Sequence, residues 1–153
     1  MHLVTRKIET RLHRALARKK SVLLLGPRQT GKTTLVTRLN ADLYINLANP
    51  STRQAHEKDP GLLVREVEAI ERPSPLIVID EIQKVVSLFD ATQHLIDSDT
   101  AHFVITGSSA RKLRRSGETN LLQGRVVVLR MDPLTVDEIA SASPSIEDLL
   151  LDG

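Results

Sequence analysis

The sequence predicts an α/β sandwich, a mainly parallel five-stranded sheet with helices packed on both faces. Three observations carry this. Short β-branched apolar runs alternate with stretches of helical period, the pattern of parallel strands joined by helical crossovers. The first apolar run passes directly into a glycine-rich turn ending in Gly31-Lys32-Thr33. The third ends in two adjacent acids, Asp80 and Glu81. At 153 residues the chain is expected to form one domain that buries a core without staples. Its expected parts are a basic amphipathic helix within 1–20, a core over 21–131, and the start of a helical region over 132–153.

The elements follow in order. Thr5–Lys19 places Ile8, Leu12, Ala15 and Leu16 on one helical face. Ser21–Leu25 is a buried strand that stops at Gly26-Pro27, and Gly31–Asn40 is a helix with Leu35, Val36 and Leu39 on its apolar side. Asp42–Leu47 alternates as a strand and ends at Asn49-Pro50. Ser51–Asp59 is a helix with Ser51 as the expected cap. Pro60-Gly61 breaks the chain before a helix over Leu62–Arg72, which Pro73-Ser74-Pro75 ends because proline lacks a backbone donor. Leu76–Ile79 is the most strand-like stretch, and Ser87–Asp97 returns to helical period. His102–Thr106 is a strand running into Gly107-Ser108-Ser109, with a short basic helix over Ala110–Arg115. Arg125–Leu129 is the last strand, followed by helices over Leu134–Ala140 and beyond Ser143-Pro144.

Composition narrows the chemistry. Cysteine is absent, which excludes disulfides, thiolate metal sites and cysteine nucleophiles. The purest apolar runs, Val22–Leu25 and Leu76–Ile79, are far shorter than a membrane helix, and no apolar block precedes Val22. A soluble, cytoplasmic protein without membrane contact is therefore expected. The histidines lack ligand spacing, and no G-x-S-x-G occurs, so neither a zinc site nor a nucleophile elbow is expected. The net charge is only +2 but is unevenly spread. Arg6, Lys7, Arg11, Arg14, Arg18, Lys19 and Lys20 face the single acid Glu9, and Arg111, Lys112, Arg114 and Arg115 form a second knot. Such faces either contact nucleic acid or are merely solvated. With Tyr44, Phe89 and Phe103 the only aromatics, base stacking has little to work with.

Gly26-Pro27-Arg28-Gln29-Thr30-Gly31-Lys32-Thr33 matches G-x-x-x-x-G-K-[ST] at every fixed position, with a buried strand before it and a helix after it. Glycines let successive amides turn inward toward phosphate oxygens, and the following helix start favours an anion. In this arrangement Lys32 reaches the β- and γ-phosphates, and the Thr33 hydroxyl meets Mg²⁺. Thr34 continues the binding segment.

Asp80 sits where a phosphate-loop protein holds Mg²⁺, and Glu81 is placed to polarise a water. The other reading is that both acids open the next helix. At the end of the fourth strand, Thr106 or Ser108 can read a γ-phosphate, with Ser108 preferred over its alternative use as a helix cap. Arg125 either neutralises charge on a transferring phosphoryl group or pairs with an acid at the strand edge.

These residues resemble the prokaryotic AAA-like P-loop ATPases related to AAA+ and STAND proteins. The similar pieces are residues 26–34, Tyr-Ile-Asn-Leu (44–47), Ile-Val-Ile-Asp-Glu-Ile-Gln-Lys (77–84), Ile-Thr-Gly-Ser-Ser (105–109), Leu-Gln-Gly-Arg (122–125) and Asp-Pro-Leu-Thr-Val-Asp-Glu (132–138). The resemblance implies a sheet in the order 5-1-4-3-2 and Mg²⁺-dependent hydrolysis of ATP. The alternative is a nucleotide-dependent switch or DNA-associated module with little turnover. The resemblance also implies that Gln83 lies near the site, that Ser108 senses the γ-phosphate, and that Arg125 completes the site of a second copy in a homo-oligomer. Val86 stands where the group usually has proline. Members usually continue through a helical region into a nuclease-like domain, which this chain, ending at Gly153, is expected to lack.

Overall fold

The computed structural model describes residues 7–108 and 124–133. The expectations for 1–6, for the basic knot and helix at 110–115, and for the helices beyond 133 lie outside them.

Helix α1 (Lys7–Ala17) leads into strand β1 (Ser21–Leu25), and helix α2 (Lys32–Thr37) follows the glycine-rich turn. Strand β2 (Leu43–Asn46) precedes helices α3 (Pro50–Lys58) and α4 (Leu62–Glu68). Strand β3 (Leu76–Asp80) is followed by a 3₁₀ turn (Ile82–Lys84) and helix α5 (Leu88–Asp97). Strands β4 (His102–Gly107) and β5 (Val126–Arg130) complete the sheet. All four strand pairings are parallel, and the order is β2-β3-β4-β1-β5, the expected order read from the opposite edge.

The strand interiors are largely apolar because each side of the sheet has its own core. Alternate residues of a strand point to opposite faces. Leu23, Ile45, Ile77, Ile79, Phe103 and Ile105 therefore pack with Leu63, Val67, Leu88, Phe89 and Leu95 of α4 and α5. Val22, Leu24, Val78, Val104 and Leu129 pack instead with Leu12 and Ala15 of α1 and Leu35 and Val36 of α2. Phe89 and Phe103 are fully buried, each contributing roughly 2–3 kcal/mol by leaving water.

Several boundaries shift by one to four residues from expectation, with α2 ending at Thr37 instead of Asn40 and β5 spanning Val126–Arg130 instead of Arg125–Leu129. The cap of α3 is Asn49 and not Ser51: its Oδ1 accepts from Ser51 N at 2.9 Å and Thr52 N at 3.4 Å. Pro50 occupies the first helical position, where a missing N–H costs nothing, and so moves the cap to the residue before it. Helix α4 stops at Glu68, short of Arg72.

Parallel strands bring the carboxyl ends of β1, β3 and β4 to one edge. Register pairs Leu25 with Gly107 and Ile79 with Ile105, so the glycine-rich turn, Asp80-Glu81 and Ser108 emerge side by side.

Candidate functional site

The turn after β1 folds around its own lysine. Lys32 Nζ donates to the carbonyls of Gly26 (2.8 Å) and Pro27 (2.6 Å), and the Thr30 hydroxyl donates to Pro27 O at 2.9 Å. Lys32 is only 4% exposed, and burial holds its pKa below the ordinary lysine value against the raising effect of Glu81 and Asp80. Gly31 has φ 91°, a left-handed conformation that glycine adopts without strain. At Gly26 the constraint is contact: a Cβ would overlap the carbonyl oxygen of Met131, the residue after β5. Met131 N in turn donates to Leu25 O at 2.7 Å.

Arg28, Gln29, Gly31, Lys32, Thr33 and Thr34 line a cleft of about 370 Å³ together with Ala48, Glu81 and Lys84. Of the expected binding residues, Gly26, Pro27 and Thr30 shape the turn instead of lining this cleft.

Asp80 is 1% exposed and receives three hydroxyls. Thr33 (3.0 Å) and Tyr44 (2.8 Å) donate to Oδ2, and Thr106 (2.5 Å) donates to Oδ1. Thr106 Oγ1 also accepts from Glu81 N at 2.9 Å, so it pins the acidic pair and is not placed as a phosphate reader. Burial, and then the bond to Asp80, raise the Tyr44 pKa and keep the phenol protonated as a donor. Glu81 has φ 64°, a strained position for a residue with a side chain. Gln83 Nε2 donates to Glu81 Oε2 and, at 2.8 Å, to Ser108 Oγ.

Among the described residues no group of three or more His, Cys, Asp or Glu side chains is arranged to hold a metal. The donors joined at the cleft, the Thr33 hydroxyl and the Asp80 carboxylate, are hard oxygens of the kind that suit Mg²⁺, which takes most of its ligands from water and phosphate. These residues fit that ion.

Arg125 is not at this edge. Val126 pairs with Ser21, the first residue of β1, so Arg125 stands at the amino edge of the sheet, roughly 20 Å along β5 from Met131. Its Nε donates to Asp97 Oδ1 of α5 at 2.6 Å. Tyr44, Thr106 as the Asp80 pin, and Lys84 were not assigned these places by sequence reasoning; only the Tyr-Ile-Asn-Leu and Gln-Lys similarity touched two of them.

A central strand ending in a lysine-filled turn, beside a strand ending in a hydroxyl-bound aspartate, defines a P-loop ATPase-like core. The sequence profile of the AAA domain matches residues 18–140, and the chain belongs to that family. Uncharacterised proteins of Mycobacterium tuberculosis (Rv2008c) and Mycobacterium bovis (Mb2031c) are each 37% identical over 150 residues, covering 94% of this chain and 32% of theirs. The chain thus spans about a third of the length of these relatives. Among solved structures, the fold resembles the Orc1 protein of Aeropyrum pernix in complex with DNA (TM-score 0.59, 20% identity) and Cdc6p of Pyrobaculum aerophilum (TM-score 0.59, 18% identity). Each covers 98% of this chain and 50% of the matched one. Among the described residues no helix is long and apolar enough to cross a membrane.

Proposed function

We propose that the chain binds ATP with Mg²⁺ and hydrolyses it. The observation that carries this reading is the meeting of Lys32, Thr33 bonded to Asp80, and Glu81 around one cleft. The turn amides and Lys32 hold the β- and γ-phosphates, Thr33 and Asp80 hold the metal, Ser108 reads the γ-phosphate, and Glu81 takes the proton of the attacking water. Bound Mg²⁺ neutralises charge on the phosphates. Lys32→Ala is expected to abolish ATP binding in calorimetry, whereas Glu81→Gln is expected to keep ATP and lose turnover. A Glu81→Gln variant as fast as wild type would remove the catalytic assignment. Tight ATP binding with a flat, near-zero rate at every protein concentration would favour a nucleotide-dependent switch.

A second reading, a DNA-associated module, rests on α1. Arg11 and Arg14 of α1 and Arg18 just past its end are exposed, while Leu12 and Ala15 of the same helix are buried. The likeness to an Orc1 protein solved with DNA adds to it. Phosphate contacts by these arginines predict DNA affinity that falls steeply with salt. Undetectable binding at low salt would exclude it.

A further inference from the structure

The 3₁₀ turn after Glu81 is fastened by Ile82 (0% exposed) and Val85 (2%), with Lys84 N donating to Glu81 O and Val85 N to Ile82 O, both at 3.0 Å. The turn holds Gln83 between the acid at the end of β3 and the serine at the end of β4. Its amide orientation follows from chemistry. An ionised Glu81 only accepts hydrogen bonds, so the NH₂ group must face it, and the second N–H goes to Ser108 Oγ at 2.8 Å. Both donors are then in use. The remaining atom, Oε1, is buried and accepts no hydrogen bond among the described residues.

We infer that Gln83 is a positioning residue that sets the Glu81 carboxylate for the water attacking the γ-phosphate and couples it to Ser108, an inference that rests on the ATPase reading. The attacking water has two protons to place. One goes to the Glu81 carboxylate, which Gln83 Nε2 holds in place through Oε2, and the other stays on the attacking oxygen. With Glu81 so placed, the water's lone pair is free to attack phosphorus. The new O–P bond forms as the bond from phosphorus to the β–γ bridging oxygen breaks. The electron pair of that bond leaves on ADP, and Glu81 takes one proton. Ser108, accepting from Gln83, keeps its own proton for a γ-phosphate oxygen. The amide thus ties the carboxylate of Glu81 to the residue that reads the third phosphate, while Thr106 accepts from the backbone N–H of the strained Glu81.

The test measures ATP affinity by calorimetry and turnover separately in wild type, Gln83→Ala, Gln83→Glu, Ser108→Ala and the Gln83→Ala/Ser108→Ala double variant. Gln83→Ala is expected to lower kcat by ~10²-fold, as misplacement of a reacting group does, with ATP affinity within about twofold of wild type. Gln83→Glu, which keeps an acceptor but loses both donors, is expected to rescue nothing. The double variant is expected to fall well short of the product of the single losses, because both residues act in one linkage. The inference is overturned if Gln83→Ala retains kcat, or if its kcat and ATP affinity fall together with thermal stability. It is also overturned if wild type binds ATP without hydrolysing it, which leaves nucleotide binding standing. A wild-type chain that binds no ATP overturns the proposed function itself.

Discussion

The Tyr44 hydroxyl donates to Asp80 Oδ2 at 2.8 Å, the same oxygen that receives Thr33 from 3.0 Å. Tyr44 lies two positions before Asn46, the β2 partner of Asp80. An edge-strand phenol therefore helps aim the carboxylate assigned to the metal.

Tyr44→Phe removes one charge-assisted hydrogen bond, worth about 1.5–3 kcal/mol, and leaves the ring in place. The expected result is a rise of roughly tenfold in the Mg²⁺ concentration needed for half-maximal nucleotide binding. A Mg²⁺ titration that matches wild type would show that Thr33 and Thr106 suffice.

Gly26→Ala drives a methyl into the Met131 carbonyl. Backbone cannot step aside as a flexible side chain would, so about 1–3 kcal/mol of stability should be lost along with ATP binding. Chemical denaturation and calorimetry on the same variant measure both, and an unchanged midpoint would contradict the contact.

Much of this was legible without coordinates. The strand cores follow from β-branched runs, and the lysine turn and acidic pair follow from local spacing. What escaped depends on partners distant in sequence. Nothing near Tyr44 signals a bond to a residue 36 positions away, and Thr106 looks like a strand-end hydroxyl until Asp80 and the Glu81 amide are placed beside it. Serine's preference for cap positions points to Ser51, whereas Pro50 at the first helical position puts the cap on Asn49. The Ile82–Lys84 turn has too few residues for any periodicity to register, although it delivers both Gln83 and Lys84 to the site.

Asp42 joins the starts of two strands, accepting from Leu76 N and from Arg72 Nη1 at 2.8 and 2.9 Å. Burial alone would raise its carboxyl, but the Leu76 amide and the Arg72 guanidinium outweigh it and hold the pKa below the ordinary value. The unfolded chain then binds this proton more readily than the folded one. The stabilisation is complete above the ordinary aspartate range and is lost as pH falls through and below it. Asp42→Asn should cost about 1–2 kcal/mol near neutrality and progressively less in acid, a convergence visible in denaturation curves taken across pH.

Arg125 cannot reach its own cleft from the far edge of the sheet, so any catalytic effect must fall on another copy. Specific ATPase activity should then rise with protein concentration, and Arg125→Ala should abolish the rise, with up to ~10³-fold lost at high concentration, while ATP affinity stays the same. A per-chain rate independent of concentration would leave Arg125 as the strand-edge partner of Asp97.

The contact between Gly26 and Met131 joins points more than a hundred residues apart. A growing chain that has not yet added its fifth strand leaves β1 bonded on one side only, and its lysine turn lacks the backbone wall it rests against. The shape that the proposed function asks of this loop therefore depends on β5 docking beside β1, although every residue of the loop lies near the start of the chain.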